Sequence, residues 1–226
     1  VRAPRAVGFD LDDTLFDHRG AARAGAAAFL AGLGVTVTPS VLDAWSDAED
    51  TQFERWRSGE IGFQEQRRER LRTVMPPLGI ALPRDDRGVD VVFEQYLGAY
   101  RAAWRVFPDV LPLLGELRAR GHRLGLLTNG TTAQQSEKLR VTGLDTAFDV
   151  VCTSERIGVQ KPDARAFHVL ADELGVPATA CLFVGDDPVR DVAGARSVGM
   201  RAVLVDRRTG DPSGLRARVL TALGEP

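Results

Sequence analysis

Short apolar runs alternate with stretches of helical spacing along most of this 226-residue chain. Segments at about Ala6–Asp10, Arg123–Leu127, Asp149–Cys152, Cys181–Val184 and Met200–Val205 read as short buried strands. Between the later ones, apolar residues recur with a helical period. Val110, Leu113, Leu114 and Leu117 stand at i, i+3, i+4 and i+7, and Gly121 stops that helix. A helix over about Thr132–Thr142 follows, and in another Phe167, Leu170, Ala171 and Leu174 share a face. The small residues Ala193, Gly194 and Ala195 let a further helix lie close to its support. Strands alternating with helices predict an α/β fold with a parallel sheet covered on both faces and joined by right-handed crossovers.

Between the first and second strands the pattern changes. Residues 18–105 carry helical periodicity and few strand candidates. Gly20–Leu33 reads as a small-residue helix stopped at Gly34, and Pro39-Ser40 offers an amino-terminal cap for the next. In that second helix Leu42, Trp45, Phe53 and Trp56 fall within an arc of about 80°, a stripe for packing. Ile61–Val74 is amphipathic, and its charge run from Gln64 to Arg70 reads as a solvated face. Met75-Pro76-Pro77 breaks it, Ile80–Asp90 carries loop signals, and Val91–Trp104 is helical again. Pro108 marks the return to the first pattern. Two domains are therefore expected: residues 1–17 with 106–226, and an all-helical insertion at 18–105. Phe16-Asp17-His18 and Val106-Phe107-Pro108 flank the insertion, as the hinges of a closing lid would.

Charge and cysteine usage narrow the function classes. A formal charge of −2 provides no footprint for nucleic acid or an anionic membrane. No apolar run approaches the ~20 residues of a membrane span. Ala21–Leu33 follows an acidic cluster and is interrupted by Arg23, unlike a signal sequence. A cytoplasmic protein is expected. Cys152 and Cys181 both lie in apolar strands and read as packing thiols of a reduced compartment. Oligomeric state is not legible. Of 29 basic residues only Lys138 and Lys161 are lysine. A lysine in an arginine-built chain is a candidate for a task that needs a compact point charge.

Four polar clusters stand at or just beyond the carboxyl ends of expected strands: Asp10 with Asp12, Thr128-Asn129-Gly130, Lys161, and Asp186-Asp187 with Asp191. Each has a plain structural reading, as a turn, a cap or a surface charge. In a parallel sheet, however, those ends lie along one edge, where such sheets bind ligands. Hard carboxylates without nearby His or Cys suit Mg²⁺, which shares a substrate phosphate. The Thr128 hydroxyl and the amides of Asn129 and Gly130 can hold phosphate oxygens beside a helix start, and Lys161 adds positive charge. Asp10 can attack phosphorus, and Asp12 can move protons to the leaving oxygen and from water.

Asp10-Leu11-Asp12-Asp13-Thr14-Leu15, Leu127-Thr128-Asn129-Gly130, Gln160-Lys161-Pro162-Asp163 and Gly185-Asp186-Asp187-Pro188-Val189-Arg190-Asp191 resemble, in order, the four motifs of the haloacid dehalogenase superfamily. The resemblance covers residues ~5–17 and ~105–206. It implies a Rossmann-like parallel sheet core with an inserted helical cap of the C1 type. It also implies Asp10 as nucleophile and Mg²⁺ ligand, and Asp12 as acid/base that binds the metal through its backbone carbonyl. Thr128 and Lys161 would hold the phosphate, Asp186 would be the third metal ligand, and Asp187 and Asp191 would bind metal-bound water or orient the site from behind the ligands. The dehalogenases of the superfamily lack the second acid, because halide leaves without a proton; Asp12 therefore favours a phosphatase. The stretch from Thr128 to Gln135, with Thr142-Gly143-Leu144 and Ser154–Val159, resembles the pyrimidine 5′-nucleotidase and sugar-phosphate phosphatase branch.

The expected function is Mg²⁺-dependent hydrolysis of a small-molecule phosphate monoester, a nucleotide or sugar phosphate, through an aspartyl-phosphate. A phosphomutase, a dehalogenase or a non-catalytic binding protein on the same fold are the alternatives. In the insertion, Trp45, Trp56, Arg55, Arg57, Arg67 and Arg68 are candidates for stacking a base or holding a second phosphate, and His18 for facing the pocket.

Overall fold

The computed structural model describes residues 6–207 and 214–225. The chain divides into two compact units, Val1–Asp17 with Arg105–Pro226, and His18–Trp104. Arg105 belongs with the first unit: its carbonyl accepts the Asp17 N–H at 3.0 Å and its guanidinium pairs with the Asp17 carboxylate.

The first unit is a five-stranded parallel sheet in the order β3-β2-β1-β4-β5. The strands are β1 (Ala6–Phe9), β2 (Arg123–Thr128), β3 (Val150–Thr153), β4 (Cys181–Gly185) and β5 (Arg201–Leu204). β1 and β4 are buried at every position, as a sheet covered on both faces requires. From β1 the chain steps outward to β2 and β3, then returns to the other side of β1 for β4. The strand order reverses beside β1, which places a crevice at the carboxyl ends of β1 and β4.

The helices of this unit, numbered after four in the insertion, are α5 (Val110–Ala119), α6 (Thr132–Val141), α7 (Ser154–Ile157), α8 (Ala164–Glu173), α9 (Gly194–Ser197) and α10 (Gly214–Leu223). α9 is preceded by a wider, π-helical turn over Pro188–Ala193. The α8 face expected from its spacing is buried, and it reaches the sheet closely. A Cβ on Gly8 would lie 2.6 Å from Leu170 Cδ2, and one on Gly125 2.7 Å from Leu170 Cδ1. Phe167, Leu170, Leu174, Phe183, Cys152 and Cys181 share one core. Burial, first of all, pushes both thiols up to about 12, which suits packing rather than reactivity.

The second unit holds α1 (His18–Gly32), α2 (Pro39–Arg57), α3 (Phe63–Val74) and α4 (Asp86–Ala102). Thr38, not Ser40, caps α2, with Pro39 at the first helical position. α4 starts five residues before the expected helix, because Asp85 caps it by accepting the Gly88 N–H at 2.9 Å. The charge run on α3 is not simply a solvated face. Gln66 and Arg70 are buried, and the Arg70 guanidinium sits among the rings of Trp45, Phe53, Phe93 and Tyr96 while pairing with buried Glu49 at 2.8 Å. An ion pair and an aromatic cage together offset the cost of burying that charge. No helix among the described residues is long and apolar enough to cross a membrane.

Candidate active site

β1 ends at Phe9 and delivers Asp10 to the crevice. The Asp10 N–H donates to the Val184 carbonyl at 2.9 Å, so the ladder holds this residue although it lies past the strand. The chain then turns tightly: the Leu11 carbonyl accepts the N–H groups of Leu15 and Phe16, each at 2.9 Å. Asp13 lies at φ 60°, a left-handed conformation that Asp tolerates better than most residues. Arg207 braces the turn from outside. It donates to the Thr14 carbonyl at 2.8 and 3.0 Å, forks onto Asp109 at 2.9 and 3.0 Å, and stacks on Phe107.

Lys161 is seated from the end of β2. The Asn129 side chain donates to the Lys161 carbonyl at 2.9 Å and accepts its N–H at 2.8 Å, gripping the backbone on both sides. From there the buried Lys161 ammonium donates to Asp10 Oδ1 at 2.5 Å and Asp191 Oδ1 at 2.6 Å. Burial disfavours the charged lysine, but the adjoining Asp10 and Asp191 carboxylates outweigh it and hold its pKa above the ordinary value. The pKa of Asp10 is raised well above the ordinary aspartate value. Burial is the main cause and Lys161 opposes it, while Asp191 and Asp186 push further in the same direction.

The acids after β4 take different parts. Carboxylate oxygens of Asp10, Asp186 and Asp191 lie within 4.8 Å of one another. Asp191 also accepts the Asp187 N–H at 3.0 Å through Oδ2. Asp187 caps the π-helical turn: Oδ1 accepts the N–H groups of Val189 and Arg190 at 2.8 and 2.7 Å, and Oδ2 pairs with the Arg190 guanidinium. Asp191, expected behind the ligands, stands in the carboxylate cluster itself.

Three acids face a single ammonium in a largely buried site, so ionising all three would leave two negative charges, and Asp10 Oδ2 is buried with no hydrogen-bond partner. The donor set is all oxygen. A divalent, oxygen-preferring cation fits both the residual charge and the donors.

Gly185 keeps the cluster in place. A Cβ there would lie 2.3–2.5 Å from the Asp191 carboxylate and its Cβ. Gly185→Ala is expected to push Asp191 off Lys161 and to destabilise the protein by about 1–3 kcal/mol. Urea unfolding of the two proteins checks this; an unchanged midpoint would show that Asp191 yields without cost.

The Asp12 carboxylate lies outside the three-acid cluster. Lys138 Nζ donates to its Oδ1 at 2.6 Å and Gln135 Nε2 to its Oδ2 at 3.0 Å. Gln135 Nε2 also donates to the Thr128 hydroxyl oxygen at 2.7 Å. The Gly130 amide donates to Ser154 Oγ at 2.9 Å, so the hydrogen bond expected for a phosphate oxygen is already made to the protein. Sequence reasoning thus missed Gln135 and Arg207 as site residues and singled out Lys138 without giving it a partner. The signal for Lys138 was its rarity in an arginine-built chain.

The candidates in the helical unit are mostly engaged there. Trp45 is buried against Tyr96 and Phe29, and Trp56 packs with Phe53 and Phe63. Arg55 pairs with Glu60, Arg57 with Glu54, and Arg68 with Asp86 and Asp90. Arg67 lies over Phe63 and Phe93. His18 Nδ1 is 2.9 Å from the Tyr100 hydroxyl.

The model of the haloacid dehalogenase-like hydrolases matches residues 4–199, and the chain belongs to that family. It is 32% identical over 213 residues to the glyceraldehyde 3-phosphate phosphatase of Methanothermobacter thermautotrophicus, covering 89% of this chain and 85% of that protein. It is 43% identical over 126 residues to phosphatase MT3486 of Mycobacterium tuberculosis, where the match spans 55% of this chain and only 57% of the relative. Among solved structures, the magnesium-bound HAD-hydrolase YfnB of Bacillus subtilis superposes with a TM-score of 0.75 at 20% identity, covering 90% and 89% of the two chains; that likeness concerns the fold. Solved 2-haloacid dehalogenases share the fold as well.

Proposed function

We propose that this chain is a Mg²⁺-dependent phosphatase that hydrolyses a small-molecule phosphate monoester, the first unit carrying the chemistry and the helical insertion acting as cap. The observation that carries the reading is Asp12, a second acid two residues from Asp10 and held by a lysine and a glutamine. A dehalogenase has no proton to deliver to its leaving halide, so its first step needs no such acid. Relatives named as phosphatases of glyceraldehyde 3-phosphate, phosphoserine and phosphoglycolate support a small phosphorylated metabolite, with sugar phosphates and nucleotides the first classes to test.

In this reading an Asp10 carboxylate oxygen bonds to phosphorus as the ester P–O bond breaks, and Asp12 gives its proton to the departing oxygen. Water then attacks phosphorus, Asp12 takes a proton from it, and the bond between phosphorus and Asp10 breaks to regenerate the carboxylate. Thr128 and Lys161 hold phosphate oxygens, and Asn129 keeps Lys161 in position. Asp10, Asp186 and the Asp12 carbonyl, with Asp191 beside them, would hold Mg²⁺, which supplies positive charge to the transferring phosphoryl group.

Release of inorganic phosphate from a panel of sugar phosphates, nucleotides and phosphorylated hydroxy acids tests this, with Mg²⁺ and then with a chelator. Halide release from a 2-haloacid is measured alongside. Chelator-sensitive phosphate release is expected, with no halide. Halide release without phosphate release would replace the phosphatase by a dehalogenase.

A further inference from the structure

Both lysines of this chain are buried, Lys138 at 2% and Lys161 at 4% exposure, and each donates to an acid of the first motif. Lys161 falls within the motifs that resemble the family. Lys138 does not, and it lies on α6, three residues after Gln135. Spacing of three places the two side chains on one helix face, and that face meets Asp12 at both of its oxygens. Lys138 Nζ also sits 4.9 Å from the centre of the Phe16 ring. An aromatic ring on one side and a carboxylate on the other hold the ammonium in place.

We infer that Lys138 and Gln135 are positioning residues for the proton-transfer step, acting on the substrate through Asp12 and Thr128. The inference rests on the phosphatase reading above. Lysine has three donors and no acceptor, so the 2.6 Å contact requires Oδ1 to receive a hydrogen bond. Gln135 reaches Asp12 Oδ2 through its amide nitrogen, a donor, at 3.0 Å. The same nitrogen then donates to Thr128 Oγ1. The Thr128 hydroxyl therefore has its own hydrogen left to give, as a group holding a phosphate oxygen must. Each Asp12 oxygen accepts one hydrogen bond from α6, and the two together orient the carboxyl group whose proton goes to the leaving oxygen and is later recovered from water. One helix face thus sets the acid/base and the phosphate donor together.

The test uses two esters, since only one needs a proton. An alkyl phosphate leaves as a strongly basic alkoxide; 4-nitrophenolate leaves unaided. kcat/KM reports the step in which the ester bond breaks, so it is compared for both esters in the wild type, Lys138→Met and Gln135→Met, with thermal melts to confirm folding. A misplaced acid costs on the order of a hundredfold, so the alkyl ester is expected to lose roughly 30-fold or more in Lys138→Met and the nitrophenyl ester no more than about threefold. Weaker binding through Thr128 in Gln135→Met would lower both esters alike, so the ratio between them still reads the acid. Should Lys138→Met fail to fold, Gln135→Met carries the comparison without leaving a buried charge unpaired. Parallel losses for the two esters in folded variants, or no loss, would overturn the positioning role while the wild-type activity upheld the phosphatase. A wild type that releases phosphate from neither ester would remove the phosphatase reading and this inference with it.

Discussion

Asp10→Asn is expected to abolish phosphate release, by at least about a thousandfold in kcat, while the protein remains folded. An amide cannot form and release an acyl phosphate as a carboxylate does. The substitution should not unfold the chain, because an Asn of the same shape can still accept from Lys161 Nζ, which also keeps Asp191 at 2.6 Å. Asp10 is raised in pKa chiefly by burial, which means the folded protein disfavours the charge that the chemistry needs. A neutral residue there should hold or raise the melting temperature, the usual direction when a strained catalytic group is removed. Steady-state kinetics and a thermal melt on one preparation check both parts. Activity within tenfold of wild type would move the nucleophile elsewhere.

Lys161→Met should have the opposite balance, losing stability as well as activity. It leaves Asp10 and Asp191 both buried with no cation between them, and breaking such a pair costs about 3–5 kcal/mol. That is a large share of the stability of a typical domain. The sign of the pH dependence follows. Without Lys161, Asp10 loses the one nearby group that lowers its pKa, so its folded value rises further above the unfolded one. Above the unfolded pKa, ionising that acid costs the native state more than the unfolded one. The deficit of Lys161→Met, measured by urea unfolding in chelator, should therefore shrink as pH falls towards the carboxylate range. A deficit independent of pH would mean that the lost stability came from packing.

Much of the architecture was legible because it follows local patterns. Uninterrupted apolar runs marked the strands, and their polar ends marked the edge on which Asp10, Thr128 and Asp186 stand. The departures have tertiary causes. Arg70 sits in a run that looks solvated, and only the aromatic rings that α2 and α4 bring around it make it a buried charge. Asp187 and Asp191 look equivalent in the chain. The π-helical turn separates them, so that Asp187 caps its own backbone while Asp191 reaches Lys161. Lys138 stood out by residue type, yet nothing local tells which face of α6 meets Asp12, because that depends on how the helix is rotated against the β1 turn. Arg207 is nearly two hundred positions from the Thr14 carbonyl it braces, and no motif links the two.

The central claim is that the phosphoryl group passes through Asp10 before it reaches water. Two in-line displacements at phosphorus restore its configuration, whereas a single attack by water inverts it. Hydrolysis of a phosphorothioate ester made chiral with oxygen isotopes, in labelled water, reads that difference in the thiophosphate released. Retention of configuration is expected; inversion would contradict the aspartyl-phosphate.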